Sequence, residues 1–237
     1  MGKSLNYNDY CGEKGLKLNL GCGKDTKAGF VNIDFFKRGN AQFNMVANLS
    51  QELPIDNEAC KYIYCSHFIE HLEWFDGEKF IRECYRVLEK GGIFRIIFPD
   101  FRKIFSAYVN RDASFFELFS KHLNEVDFPY YEAVYNDPEK IKKYRISDPP
   151  PDWHLSQNPE DRKRLRLRVR KYRSFIELVD WFVHQYGEHK TLYDEDSMKA
   201  LLQEAGFSEI CASSFNPEID SASSLRRKIS AYIEAVK

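Results

Sequence analysis

The stretch Leu16-Lys17-Leu18-Asn19-Leu20-Gly21-Cys22-Gly23 decides the fold of this chain. An apolar strand runs into two glycines, and because neither presents a Cβ the backbone can turn sharply and lie close against a ligand. Taken alone, a glycine pair after a strand is equally a plain tight turn, and Thr26 at the third glycine position excludes the dinucleotide GxGxxG pattern. The second signal is Asp34, eleven residues beyond Gly23, at the end of a second apolar run. A carboxylate there accepts hydrogen bonds from ribose hydroxyls in nucleotide-binding α/β folds, or else caps a turn. Seven residues separate Gly23 from Val31, too few for a crossover helix, so a loop must make this connection.

Outward from this point, residues 16–100 alternate short β-like runs with helical stretches, the pattern of a parallel sheet flanked by helices. Strands are predicted at Leu16 to Leu20, Phe30 to Asp34, Phe43 to Val46, Lys61 to Cys65 and Ile93 to Phe98. Phe80, Ile81, Cys84, Tyr85 and Leu88 recur at helical spacing, with Gly91-Gly92 expected to end that helix. Residues 101–190 differ in texture. They hold 17 of the 36 aromatics and four of the six histidines, and six of the nine prolines fall between Pro129 and Pro159. Such aromatic content is wrong for disorder, so a helical insertion is expected. The α/β pattern then resumes with a helix opened by Asp194 and closed by Gly206, and after it strands at Glu209 to Ser213 and Ile229 to Val236. For the last segment the two-residue alternation of Ile229, Ala231, Ile233 and Ala235 favours a strand over a helix.

The whole chain has 237 residues, 43% of them apolar, with 35 Lys+Arg against 36 Asp+Glu and a net charge of −1. That composition describes a globular protein and argues against bulk nucleic-acid binding, although an average can conceal a local patch. No apolar run exceeds four residues, far short of a membrane span or signal-peptide core. The six cysteines include no CxxC pair and read as free thiols in a reducing cytoplasm.

Further chemistry-bearing residues lie just past the fourth strand in Ser66-His67-Phe68-Ile69-Glu70-His71. Ligands in open α/β sheets bind beyond the carboxyl ends of strands, where Ser66 and His67 fall. His67 to His71 also spells HxxEH, the inverted zinc-peptidase motif. That motif needs an established helix and a further carboxylate ligand, whereas His67 abuts a strand end, so no metal site is assigned. In the insertion, Arg162 to Arg173 holds eight basic residues beside Glu160 and Asp161, a local charge of +6. The segment is either a solvated amphipathic helix or an anion-recognition surface in which Arg166, Arg170 and Arg173 supply forked donors.

The ordered set LNLGCG, GFVNID (29–34), LPIDNEACKYIYCSHFIEHL (53–72), ECYRVLEKGGIFRIIFPD (83–100) and LYDEDSMKALLQEAGF (192–207) resembles the class I S-adenosylmethionine-dependent methyltransferases. The likeness is strongest to the short-first-loop branch associated with bacterial polysaccharide and glycan biosynthesis. The resemblance implies an α/β, Rossmann-like, seven-stranded and mostly parallel sheet with the last strand antiparallel, interrupted by a helical insertion between strands 5 and 6. Residues 1–100 and 191–237 would form the cofactor-binding core, and residues 101–190 a cap over the substrate. By the same resemblance Gly21, Cys22 and Gly23 would pass under the methionine part of S-adenosylmethionine and Asp34 would bind its ribose. Asn48 and Leu49 would contact adenine, while Ser66 and His67 would line the pocket below the sulfonium. Asn19, Asp25 and Asn48 depart from the residues many relatives carry at these places.

The implied activity is methyl transfer, with S-adenosylhomocysteine as product, to an oxygen of a sugar, nucleotide sugar or glycan precursor that carries negative charge. A histidine suits removal of a hydroxyl proton at neutral pH. His189, where the insertion rejoins the core, is the first candidate base, His67 the second and His154 the third. Two other classes stay open at this point: an RNA methyltransferase using Arg162 to Arg173, and a cofactor-fold binding protein without turnover.

Overall fold

The computed structural model describes residues 10–35, 44–122, 174–184 and 188–237. The chain divides into two compact units, one of residues 1–101 and 190–237 and one of residues 102–189.

The first unit is built on a seven-stranded sheet of β1 (Leu16–Leu20), β2 (Val31–Asp34), β3 (Met45–Val46), β4 (Cys60–Ser66), β5 (Leu88–Pro99), β6 (Ser208–Ala212) and β7 (Ser230–Val236). Their order is β3-β2-β1-β4-β5-β7-β6. The first five run parallel, and β7 pairs antiparallel with both β5 and β6, as the resemblance implied. The last run is therefore a strand, and helix is confined to the six residues before it (Ser224–Ile229).

Strand alternation sorts the side chains onto two unlike faces. Leu18, Leu20, Ile33, Ile63, Cys65, Phe94, Ile96, Phe98, Ala231 and Ile233 share one face and one apolar core. That core is closed by α1 (Trp74–Val87), through Phe80, Ile81, Cys84 and Val87, and by the helix Glu195–Ala205, through Met198, Leu201 and Leu202. The opposite face carries a row of polar and aromatic side chains, because the register places Asn32 beside Asn19, Asn19 beside Tyr64, Tyr64 beside Arg95 and Arg95 beside Glu234.

Helix Glu195–Ala205 begins and ends as its sequence dictates. Asp194 Oδ1 accepts from the Ser197 amide at 2.8 Å, and the Asp194 amide donates to Ser197 Oγ at 3.0 Å, a reciprocal cap. Gly206 stops the helix at φ 106°, a value that an L side chain resists. The expectation for Gly91-Gly92 needs correction. α1 ends at Val87, with Leu88 already extended, and the glycines lie inside β5. They serve an irregularity there: Cys60 pairs with Leu88 but Tyr62 with Ile93, so β5 carries extra residues and Gly91 turns at φ 77°.

In the second unit, α2 (Phe101–Val109), α3 (Ala113–His122) and α4 (Phe175–His184) are described. Phe116 of α3 stacks on Phe175 of α4 at 4.3 Å between centroids, and Phe119 meets Phe182 edge-on at 5.2 Å. Aromatic pairs of this kind add about 0.5–1.5 kcal/mol beyond the area they bury. Most of the expected proline-punctuated segment lies outside the described residues. Among those described, no helix is long and apolar enough to cross a membrane.

The cap of the helix Glu195–Ala205 is open to measurement: Asp194→Ala is expected to lower stability to urea by about 1 kcal/mol, with Asp194→Ser recovering most of it.

Candidate active site

The carboxyl ends of β1, β2 and β4 bring the glycine loop, Asp34 and His67 to one edge of the sheet, a consequence of the parallel direction of these strands. After β1 the chain turns at once. The Gly21 and Cys22 amides both donate to the Ile33 carbonyl, at 2.9 and 3.2 Å, while Gly21 and Gly23 take φ values of 65° and 54°. A Cβ on Gly21 would stand 2.5 Å from the Phe68 ring, so the loop closes over Phe68 only because residue 21 lacks a side chain. At Gly23 the reverse holds: nothing lies within 4 Å of where a Cβ would be, and the space there is open.

Asp34 is buried, and its Oδ2 accepts from the Gly23 amide at 2.7 Å. The turn-cap function and a ligand function are compatible, since an ionised carboxylate accepts several hydrogen bonds at once. Asn48 Oδ1 accepts from the Ser50 amide at 3.0 Å and the Ser50 hydroxyl at 2.8 Å, a local turn. Leu49 is packed in the main core. Ser66 is the last residue of β4, paired with Ile97 of β5.

His67 takes φ 52° and is fixed on both sides of its ring. Nε2 lies 2.9 Å from Ser230 Oγ, and Nδ1 lies 3.3 Å from Glu70 Oε1. The single proton of the Ser230 hydroxyl is shared between the Arg226 carbonyl and His67 Nε2, so the neutral ring carries its hydrogen on Nδ1, toward Glu70. Burial pushes the pKa of His67 down from its ordinary 6.5; the charges of Arg226 and His71 push the same way, and Glu70 opposes them. Beyond His67, Ile69–His71 forms a single 3₁₀ turn. His67 and His71 therefore do not share the established helix that the zinc-peptidase reading requires.

His189, described within the second unit, is buried with Nδ1 2.8 Å from the Phe182 carbonyl and its ring edge-on to Phe182. A carbonyl only accepts, so Nδ1 carries the hydrogen and Nε2 is the acceptor nitrogen of the neutral ring. His154, Arg166, Arg170 and Arg173 lie outside the described residues. All six cysteines are free thiols. Burial lifts the Cys60 thiol to about 12 and those of Cys65 and Cys84 well above 9.0, which leaves them unreactive.

The sequence alone assigned no role to Phe68, which underlies Gly21, or to Asp25 and Lys27, which hold the loop from outside. Asn19 Nδ2 donates to the Asp25 carbonyl at 2.7 Å, and the Lys27 amide donates to Asn32 Oδ1 at 2.8 Å. The available signal was the pair of buried asparagines in β1 and β2, whose amides demand partners.

An open glycine loop beside a buried carboxylate fits a ligand that carries a ribose. Residues 18–96, from β1 into β5, match the family model described as "Methyltransferase domain". No curated protein matches the chain. Among solved structures, it is similar to a SAM-dependent methyltransferase from Archaeoglobus fulgidus, at 15% identity and a TM-score of 0.49, covering 98% of this chain and 90% of that one. A second, from Mesorhizobium loti, is an S-adenosylmethionine-dependent methyltransferase with 16% identity, a TM-score of 0.47 and coverage of 95% and 93%. A third is phosphoethanolamine N-methyltransferase 2 of Haemonchus contortus, with 12% identity, a TM-score of 0.44 and coverage of 95% and 49%. The match to the methyltransferase domain model covers about a third of the chain, from the glycine loop to the last of the parallel strands.

Two outcomes are expected. Gly21→Ala meets both the positive φ and the Phe68 ring, and should cost about 1–3 kcal/mol in urea denaturation together with loss of cofactor binding. His67 is held neutral in the folded chain, so its contribution to stability is complete above pH 6.5 and is lost as the pH falls through its lowered folded value. His67→Asn, which tolerates the positive φ, should therefore lose less stability than wild type when denaturation at pH 5 is compared with pH 7.5.

Proposed function

We propose that this chain is a class I S-adenosylmethionine-dependent methyltransferase that acts on a hydroxyl of an anionic sugar, nucleotide sugar or glycan precursor in the cytoplasm, with His189 as the general base. The observation that carries the reading is the hydrogen bond between His189 Nδ1 and the Phe182 carbonyl. It fixes the tautomer that leaves Nε2 as a proton acceptor, the arrangement a base needs and a methyl donor by itself does not supply. An amine acceptor arrives with a lone pair once neutral; a hydroxyl must surrender a proton as its oxygen attacks, so a held base favours oxygen as the acceptor.

Bound S-adenosylmethionine supplies an activated methyl group on its sulfonium. The remaining work belongs to the chain. Gly21, Cys22 and Gly23 would give the backbone surface for the methionine part, and Asp34 would accept from the ribose hydroxyls. Asn48, held in its turn by Ser50, stands for the adenine side, with Leu49 acting from the core beneath it. Methyl transfer is an in-line displacement, and holding donor and acceptor on one axis provides most of the acceleration. His67, engaged at both nitrogens, fits a positioning role at the ends of β4 and β7 better than that of a base. Residues 102–189 would choose the acceptor, with Arg166, Arg170 and Arg173 meeting its negative charge.

A labelled-methyl screen over phosphosugars, nucleotide sugars, oligosaccharides and RNA tests the proposal, with label expected in the sugar classes. On the acceptor found, His189→Gln should lower kcat by about 10²- to 10⁴-fold with cofactor affinity retained. Asp34→Ala should do the opposite, raising the cofactor Kd first. Label in RNA alone, or full turnover by His189→Gln, would overturn the reading.

A further inference from the structure

We infer that the segment between β6 and β7, residues 213–223, is a strap that positions the cofactor loop, and that Asp220, Ser221 and Lys27 are positioning residues for cofactor binding. The inference rests on the assignment of Gly21–Gly23 as cofactor-holding.

The strap is anchored on the polar face of the sheet by Arg95, which is 1% exposed. An arginine has five N–H donors, and all five of Arg95's are engaged. Nε donates to Asp220 Oδ1 at 3.0 Å and Nη2 to Asp220 Oδ2; Nη2 also donates to the Ser214 carbonyl at 2.8 Å. Nη1 donates to Ser213 Oγ at 3.0 Å and Glu234 Oε1 at 2.8 Å. Asp220 is buried in turn, and its Oδ2 also accepts from the Asn216 amide at 2.7 Å, which folds residues 216–220 into a closed turn. A buried ion pair of this kind is costly to break from one side, so it fixes where the segment lies.

The residues flanking Asp220 reach the loop after β1. The Ile219 carbonyl accepts from Lys27 Nζ at 2.6 Å, and Ser221 Oγ donates to Asp25 Oδ1 at 2.9 Å. Lys27 Nζ also meets Asp25 Oδ2 at 3.0 Å and stands 4.3 Å from the centroid of the Tyr64 ring in β4. Asp25 leads directly back to the glycines, because its amide donates to the Cys22 carbonyl at 2.8 Å and its own carbonyl accepts from Asn19. A continuous set of bonds therefore runs from β5, over Tyr64 of β4, to Cys22 between the two glycines. Contiguous polar contacts between elements that are each rigid are the physical means by which a remote residue sets the geometry of a site.

The test uses the full chain, with S-adenosylhomocysteine as the probe. Lys27→Met and Ser221→Ala leave the buried Arg95–Asp220 pair intact and serve as the primary variants; Asp220→Asn is the remote one. In titration calorimetry the primary variants are expected to raise Kd by about 2- to 30-fold, the range seen for residues that modulate a site they do not touch. Lys27→Arg, which keeps the charge and the donors, should recover most of that loss. In the ligand-free protein, hydrogen exchange of the amides from Leu20 to Ala28 should quicken in Lys27→Met, while exchange in helix Glu195–Ala205 stays unchanged. If wild type binds and both primary variants bind as tightly with unaltered exchange, the strap is overturned. If wild type itself binds no S-adenosylhomocysteine, the assignment of the glycine loop fails and the strap's function fails with it.

Discussion

Ten residues join the end of β1 to the start of β2, and that shortness governs the rest of the sheet unit. Parallel neighbours are normally connected through a helix of a dozen residues or more, which satisfies its own backbone and covers the sheet. Here the connection has no helix to do either. Its backbone groups are met by side chains rising from the sheet, chiefly Asn19 and Asn32. Asn32 alone receives the Lys27 amide and donates to the carbonyls of Lys27 and Phe30. Asparagines in the middle of two central strands are unfavourable as strand residues; they are retained here because the loop above them would otherwise lose its partners.

That constraint gives the sheet its two-faced character. The core face is apolar without interruption and packs against helices. The other face is a row of amide, phenol, guanidinium and carboxylate groups, covered in part by residues 213–223 rather than by a helix. Such a row is stable only if its members satisfy one another. Burial raises the Tyr64 and Tyr62 phenols, Tyr62 to about 12, and keeps both neutral near Arg95. The site inherits its rigidity from this face: the glycine loop is clamped by Phe68 from below and by Asp25 and Lys27 from outside.

The parts of the fold that obey local rules were legible in the sequence. β1 was predicted to the residue, because alternation and the two glycines bound it on one side. The helix after Asp194 was readable from its cap, its apolar stripe and Gly206. Gly91-Gly92 misled, because glycine pairs end helices and also relieve irregular strands, and only the pairing of Leu88 with Cys60 distinguishes the two. Asp34 was singled out from its place after a strand. Its bond to Gly23 was not, since the partner is set by how the loop returns. Arg95 left a visible trace, a lone charge within Ile-Phe-Arg-Ile-Ile-Phe, but its partner Asp220 lies 125 residues away and no local pattern connects them. His67 was assigned to the pocket from its position alone; its engagement with Ser230, on a strand distant in sequence, depends on β7 entering beside β5.

That entry of β7 has a consequence for how the chain acquires its structure. β7 lies between β5 and β6, yet 130 residues of chain separate it from β5. Until its seven residues arrive, β5 presents an open apolar edge and β6 lacks the neighbour to which it is bonded. Closing so long a loop is an entropic cost that must be met before any of the resulting contacts form, and topologies of this kind fold slowly. In any order of folding that pairs β1 to β5 before β7 is placed, the edge of β5 is open to pairing with another molecule, so β7 is the strand that protects this sheet from association.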